Sequence, residues 1–171
     1  LAIELAAARV PALGLRGVRD KLDARFKLLT GGARAALRRH QTLRAALEWS
    51  HGLLSARERQ VFRRLGVMAG SASLALVHQV VADADEAAEL DRWAVLDSLD
   101  TLVDRSLVVV LPTEDDAAPR YRLLESPRAY ALERLRESGE LPALQRRHAH
   151  AVAAMLDAAY DEYFNGRTGV D

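Results

Sequence analysis

The apolar positions of this chain recur mostly at helical spacing. Leucine and alanine, which favour helices, dominate the composition, and their periodicity predicts a chain of successive helices. The predicted helices cover residues 1–10, 18–29, 43–54, 56–69, 74–81, 91–105, 127–138 and 141–164. Pro11 is expected to end the first helix. Trp49 and Trp93 lie within apolar stripes, which predicts that both indole rings are buried in the core.

Three helix starts carry recognisable capping residues. Ser55 and Glu58 have the spacing of a capping box, in which each side chain satisfies the backbone amide of the other residue. Thr42 is expected to cap the helix over 43–54. Ser126 is expected to cap a later helix, with Pro127 at its first position, where a missing amide costs little.

Two strand-like runs interrupt the helical pattern. Residues 107–111 and 120–125 predict strands, and the polar segment 112–119 predicts the turn between them. Three helices followed by a hairpin is the element order of a winged helix, which places that fold at residues 56–125. The predicted fold class is mainly α: a helical domain over 1–42, a winged-helix domain with a short β-hairpin over 43–139, and a long C-terminal helix within 140–171.

Composition narrows the possible functions. The chain has 171 residues and no cysteine, which excludes a disulfide framework and a thiolate metal site. Its longest purely aliphatic run, 107–111, is too short to span a bilayer, and the sequence shows no signal peptide. We therefore expect a cytoplasmic protein without membrane contact. Because the sequence begins at Leu1 without an initiator methionine, we expect it to be a piece of a larger protein.

The formal net charge of zero conceals an uneven distribution. Residues 1–70 hold 14 basic and 5 acidic side chains, whereas residues 71–125 hold 4 basic and 12 acidic ones. The acidic part contains the elements with which a winged helix would contact DNA, the helix over 91–105 and the wing with Glu114-Asp115-Asp116. The charged residues of that helix are Asp91, Arg92, Asp97, Asp100, Asp104 and Arg105. Since phosphate contacts supply most non-specific affinity, we expect this surface to repel DNA, and DNA binding is the alternative interpretation.

A second candidate surface is basic. Its arginines cluster on either side of Thr42 and on the helix that follows Ser55: Arg34, Arg38, Arg39, Arg44, Arg63 and Arg64. Such a cluster can bind nucleic acid or an acidic partner, and it can equally be a solvated face or an intramolecular docking surface. We favour the second interpretation.

The sequence offers no catalytic or metal constellation. His148 and His150 are two residues apart, so on a helix their imidazoles point in different directions. Glu133 and Glu137 lie one turn apart beside Arg134, which favours a solvated surface over paired catalytic carboxylates. Because no nucleophile signature and no phosphate-binding Gly-x-x-x-x-Gly-Lys-Ser/Thr loop is present, we expect a non-enzymatic chain without its own cofactor or metal.

Five stretches within residues 1–140 follow the order of a known multidomain pattern. They are Leu1 to Val10, Arg25 to Gly32, Arg39 to Ser50, Leu102 to Val108 and Tyr121 to Ala131. The chain thereby resembles the region downstream of the nucleotide-binding core in NB-ARC-type signal-transduction ATPases, whose bacterial members often act as transcriptional regulators. The resemblance implies that residues 140–171 lead towards a tetratricopeptide-like repeat region, and that the full-length protein binds ATP or ADP with magnesium.

The resemblance also implies a function and partners. The chain would couple the nucleotide state of an ATPase core to a sensor and a transcriptional output, by rigid-body rotation of the winged helix. Its partners would be that core and the repeat domain, with a homo-oligomer as a further option and DNA not expected. Many relatives end the strand after the wing in Met-His-Asp, whose histidine contacts nucleotide. Leu124 and Glu125 are the cofactor-binding candidates by position, although Leu124 cannot donate a hydrogen bond.

Overall fold

Helices form most of the described chain. A computed structural model describes Ala7 and residues 10–20, 43–83, 90–112 and 118–165. The chain divides into two compact units, Leu1–Leu54 and Ser55–Asp171. The predicted division into three parts at 42/43 and 139/140 stays a prediction.

The described part of the first unit contains two helices, α1 (Val10–Asp20) and α2 (Leu43–Gly52). The prediction that Pro11 ends a helix is wrong. Pro11 lies in the first turn of α1, where a backbone amide has no acceptor within the helix, so the amide that proline lacks costs little. The interruption falls instead at Gly14, whose φ of 67° is open to glycine without steric cost. Leu47 and Leu54 are buried, as their spacing predicts. Thr42 and most of the helix predicted over 18–29 lie outside the described residues.

The second unit is a winged helix followed by a long helix. Its elements are α3 (Ala56–Leu65), β1 (Ser71–Ser73), α4 (Leu74–Val81), α5 (Arg92–Asp104), β2 (Val108–Leu111), β3 (Arg120–Leu123), α6 (Glu125–Glu137) and α7 (Leu141–Asn165). The three strands form one antiparallel sheet in the order β1-β3-β2. The predicted fold class is therefore confirmed: mainly α, with a winged helix, a short hairpin and a long C-terminal helix.

The predicted capping box starts α3. Ser55 Oγ accepts a hydrogen bond from the Glu58 amide at 3.3 Å, and the Ser55 amide donates to Glu58 Oε2 at 2.7 Å. The helix ends at Leu65, earlier than predicted, because the chain turns at Gly66 and passes close to α6. A Cβ on Gly66 would lie 2.8 Å from the backbone nitrogen of Leu132.

The sequence pattern missed β1, whose residues Ser71-Ala72-Ser73 have little strand propensity. Its pairing with β3, in the register Ser71 to Arg122, makes this segment a strand. Arg120 reinforces the pair by donating to Ser71 Oγ at 2.9 Å and to the Ser71 carbonyl oxygen at 2.8 Å. The strand is thus fixed by tertiary pairing and not by local preference.

The start of α6 differs from the prediction. The helix begins at Glu125 with Leu124 as its N-cap residue, and no side chain caps it. Ser126 is therefore inside the helix, and Pro127 is its third residue. Pro127 is tolerated there because the first four amides of a helix have no acceptor within the helix.

The core of the second unit surrounds α3. Val61, Phe62 and Leu65 are buried on one face, as their spacing predicts. This helix packs against both α5 and α6, and the Phe62 ring lies 6.4 Å from that of Tyr130 on α6. The central position of α3 fixes one face of α5 and leaves the other face towards solvent.

Candidate nucleic-acid interface

The interface of a winged helix centres on the helix before the hairpin, which is α5. Asp91 caps this helix by accepting the Ala94 amide at 2.7 Å. The helix has 13 residues, which at 1.5 Å per residue gives a length of about 20 Å. Its buried residues are Ala94, Val95, Ser98, Leu99 and Leu102. A rigid helix of this size fits the major groove of B-DNA.

The solvent face of α5 is aromatic and acidic. Trp93 is 74% exposed, and Asp97, Asp100 and Asp104 follow it on the same face. The prediction that Trp93 and Trp49 are core residues is wrong, since the Trp49 side chain is 50% exposed as well. The core face of α5 combines the larger residues Val95, Leu99 and Leu102 with the small residues Ala94 and Ser98, and Trp93 lies outside it.

Two small residues, Ala94 and Ser98, mark the buried face of α5. Ala94 and Ser98 stand one turn apart, and the Ser98 hydroxyl donates to the Ala94 carbonyl oxygen at 2.6 Å, which satisfies it inside the core. Together with Val95 and Leu99 they define a face at i, i+1, i+4 and i+5. Counting alanine and serine as possible core residues would have given the correct orientation of α5.

The wing strands add one exposed arginine. Arg120 and Arg122 share a face of β3, since side chains two residues apart in a strand point the same way. Arg120 is bonded to Ser71, whereas Arg122 is exposed and has no ion pair in the described part of the chain. The predicted acidic wing residues, Glu114-Asp115-Asp116, lie outside the described residues.

A polar groove separates the first turn of α3 from the middle of α5. Its volume is about 360 Å³, and it is lined by Ser55, Ala56, Arg57, Glu58, Asp97, Ser98 and Thr101. Arg57 is exposed at its edge and makes no ion pair among the described residues. The guanidinium of Arg57 is therefore available to a ligand that lies along α5.

The predicted basic cluster is only partly described. Arg34, Arg38 and Arg39 lie outside the described residues. In the first unit, Arg44 Nε bonds Glu48 at 2.7 Å. In the second unit, Arg64 is buried and Arg63 is half-buried. Whether these arginines form a common binding surface stays a prediction.

Arg63 and Arg64 both bond Glu140, the residue before α7. Arg63 Nε lies 2.7 Å from Glu140 Oε2, and Arg64 Nη2 lies 3.0 Å from Oε1. Arg64 is only 7% exposed, and its Nη1 donates to Asp83 Oδ1 at 2.7 Å. Burial alone would raise the pKa of Glu140, but the hydrogen bonds and charges of the two arginines outweigh it and lower that pKa.

The two nucleotide candidates lie at the start of α6. Leu124 is the N-cap residue and is 46% exposed, and Glu125 is the exposed first residue of the helix. A role for Leu124 and Glu125 in nucleotide binding stays a prediction.

The described residues offer neither a metal site nor a membrane-spanning helix. They contain no group of three or more histidine, aspartate or glutamate residues that could hold a metal ion. Nor does any helix within the described ranges have the length and apolarity needed to cross a membrane.

Comparisons with known proteins identify the same fold. Residues 54–136 match the family model of the winged helix-turn-helix domain. The chain is 47% identical over 163 residues to a Mycobacterium tuberculosis protein named "Putative HTH-type transcriptional regulator", covering 94% of this chain and 18% of that protein. A Mycobacterium bovis protein of the same description matches equally. An uncharacterized protein of Mycobacterium tuberculosis is 44% identical over 148 residues, covering 86% of this chain and 36% of its own length.

These matches correct the functional prediction. The expectation of a coupling module that does not contact DNA is wrong, because both the domain match and the relatives named as HTH-type regulators favour a DNA-binding regulator. The prediction rests on the net acidic charge of the helix over 91–105 and of the wing. The chain spans only about a fifth of the length of the relatives that it matches at 47% identity.

Proposed function

We propose that this chain carries the DNA-binding winged helix of a transcriptional regulator. The observation that carries the proposal is the element order of residues 55–137, with α5 placed immediately before the β2–β3 hairpin and one full face of α5 in solvent. In winged and helix-turn-helix domains that helix enters the major groove, and its first residues meet the base edges. The relatives named as HTH-type regulators support the same function.

The first turn of α5 offers groups suited to base readout. Trp93 is exposed there, and Asp97 lies one turn further on. An apolar surface can contact the thymine methyl group, and a carboxylate can accept from the cytosine amino group. Trp93 and Asp97 can therefore discriminate bases, and the carboxylate lowers affinity for sequences that offer it no donor.

Phosphate contacts would come from arginines around the acidic face. Arg57, Arg92, Arg105 and Arg122 are all exposed, and none has an ion pair within the described ranges. They stand at the start of α3, at both ends of α5 and on β3. Arg92 and Arg105 lie at the two ends of α5 and Arg57 lines the groove beside Asp97, so DNA that follows α5 would meet guanidinium groups as well as carboxylates.

The proposal is tested by selecting a duplex from a randomised library with the chain and measuring affinity across a salt series. Arg92→Ala and Arg122→Ala are each expected to weaken binding about three- to tenfold and to reduce the salt slope by about one. The matched control is Arg146→Ala, an exposed arginine on α7, which should leave both quantities unchanged. Failure of the library to yield any bound duplex at low salt would refute the proposal.

The NB-ARC resemblance belongs to the full-length protein and remains a separate proposal. It rests on the five sequence stretches within residues 1–140. ATP or ADP and magnesium would bind outside this chain, since the chain has no phosphate-binding loop. Extending the sequence beyond residues 1 and 171 tests this proposal, because a phosphate-binding loop must then be found.

A further inference from the structure

A hydrogen bond joins the C-terminal helix to the end of α4. The guanidinium of Arg147 on α7 donates from Nη2 to the carbonyl oxygen of Ala82, and also to that of Gln79 at 3.3 Å. The last four carbonyl groups of a helix accept no hydrogen bond from an amide of the same helix. A cation beside them stabilises the helix end, because the helix dipole is negative there. Arg147 therefore caps α4 from a different element.

Arg64, on α3, also binds the end of α4. Arg64 Nη1 donates to the carbonyl oxygen of Val81 and to Asp83 Oδ1, both at 2.7 Å. Its Nη2 donates to Glu140, next to α7, at 3.0 Å. Burial and the charge of Arg64 lower the pKa of Arg147, while Asp83 and Glu140 oppose that shift, so the charges lie close enough to interact. The cluster fixes residues 81–83 to both α3 and α7.

Further hydrogen bonds link residues 81–83 to the start of α5. The Asp83 amide donates to the carbonyl oxygen of Leu90 at 2.9 Å, which ties the two ends of the segment between α4 and α5. Leu90 is only 1% exposed, and the next residue, Asp91, caps α5 through the Ala94 amide. Each step from Arg147 to α5 is thus a hydrogen bond, a buried side chain or a single peptide link.

We propose that Arg147 is a positioning residue for DNA recognition: by holding the end of α4, it fixes the first turn of α5 in its binding orientation. The inference rests on the proposed function, since it assumes that α5 contacts DNA. Arg147 itself would touch no phosphate, because both of its described acceptors are carbonyl oxygens of the protein. A change of Arg147 should consequently alter affinity without altering the number of phosphate contacts.

The test compares Arg147→Ala with Arg146→Ala, the neighbouring arginine, which is exposed and has no partner among the described residues. The selected duplex is titrated with each variant across a salt series, and amide hydrogen exchange is followed at Asp83 and Ala94. Arg147→Ala is expected to weaken binding about tenfold with a parallel salt slope. It should also speed exchange at Asp83 more than at the core amides of α3. Arg147→Lys, which keeps one donor, should recover part of both effects, and Arg146→Ala should change neither.

The outcomes separate this inference from the proposed function. Unchanged exchange at Asp83 in Arg147→Ala refutes the link to α5, whether or not the chain binds DNA. A salt slope reduced by about one refutes it too, because Arg147 would then contact a phosphate. Faster exchange at Asp83 together with no DNA binding by the unaltered chain refutes the proposed function, and with it the role in recognition, but leaves the mechanical link standing.

Discussion

Gly66 sets the distance between α3 and α6. Its φ is an ordinary −56°, so glycine is not needed here for backbone freedom. What requires glycine is space, since a Cβ would lie 2.8 Å from the nitrogen of Leu132 and 3.0 Å from the carbonyl carbon of Ala131. Both are backbone atoms in a helix, which cannot rotate away as the end of a side chain can. Close packing here follows from the absence of one methyl group.

Gly66→Ala is therefore expected to lower the free energy of unfolding by about 1–3 kcal/mol, the cost of overpacking a closed core. The matched control is Gly52→Ala, because a Cβ at Gly52 would meet no atom within 4 Å. Urea unfolding measured by circular dichroism checks both variants. Equal midpoints for Gly66→Ala and the unaltered chain would contradict the account of this contact.

Glu140 gives the molecule an acid-sensitive bond. Arg63 and Arg64 bond its carboxylate directly, and Arg147 and Asp83 are the other charged groups of the cluster. Because the folded-state pKa of Glu140 is below its ordinary 4.5, the unfolded chain binds its proton first as pH falls. The stability that this carboxylate supplies is complete above about pH 4.5 and is lost as pH falls through the folded-state pKa.

Glu140→Gln should consequently remove part of the fall in stability below pH 4.5. At pH 7 the variant should be less stable by about 1–3 kcal/mol, because Arg63 then loses its charged partner among the described residues and Arg64 keeps only Asp83. Thermal unfolding followed between pH 3 and pH 7 measures both effects, and Glu137→Gln, an exposed glutamate at the end of α6, serves as the control. If the two variants showed the same pH dependence, the role given to Glu140 would be wrong.

At the scale of elements, the sequence pattern correctly predicts those helices and caps that depend on residues close together in the chain. The helix at 74–81 has the predicted bounds, and the Ser55–Glu58 box starts α3 as expected. These features depend on residues only a few positions apart. β1 depends on a partner strand far away in sequence, since Ser71 pairs with Arg122, so no pattern within Ser71–Ser73 could reveal it.

The orientation of α5 shows where element-scale prediction fails at the candidate site. Two faces of this helix carry apolar side chains at helical spacing, one through Trp93 and the other through Ala94 and Leu99. Packing of α5 against α3 decides between them, and the face with Ala94, Ser98 and Leu99 is the buried one. The residues offered to DNA follow from that choice, and a sequence pattern without partners could not make it.

The two faces of α5 should respond differently to mutation. Trp93→Ala is expected to change the free energy of unfolding by less than about 0.5 kcal/mol, since the ring is 74% exposed. Leu99→Ala should cost about 2–5 kcal/mol, since Leu99 is fully buried. Thermal unfolding of the two variants measures this difference. A large loss of stability in Trp93→Ala would show that this ring is buried in the core, which would contradict the assigned interface.

At the scale of the whole molecule, net charge is a poor guide to function. The sum of zero contains a basic first part and an acidic middle, and the boundary between them falls inside the winged helix, after α3. Asp97, Asp100 and Asp104 lie on one face of α5, whereas Arg92 and Arg105 lie at its two ends. Affinity for DNA depends on which charges lie near phosphates, and a sum over a segment does not contain that information.

The salt dependence of DNA binding tests the central claim most directly. If Arg57, Arg92, Arg105 and Arg122 each contact a phosphate, the logarithm of the association constant should fall with the logarithm of salt concentration with a slope of about −3 to −4. Fluorescence anisotropy of a labelled duplex selected from the randomised library measures this slope. The account predicts binding that is tight at about 50 mM salt and weakens with that slope. Absence of binding at that concentration, or binding that salt leaves unchanged, would contradict it.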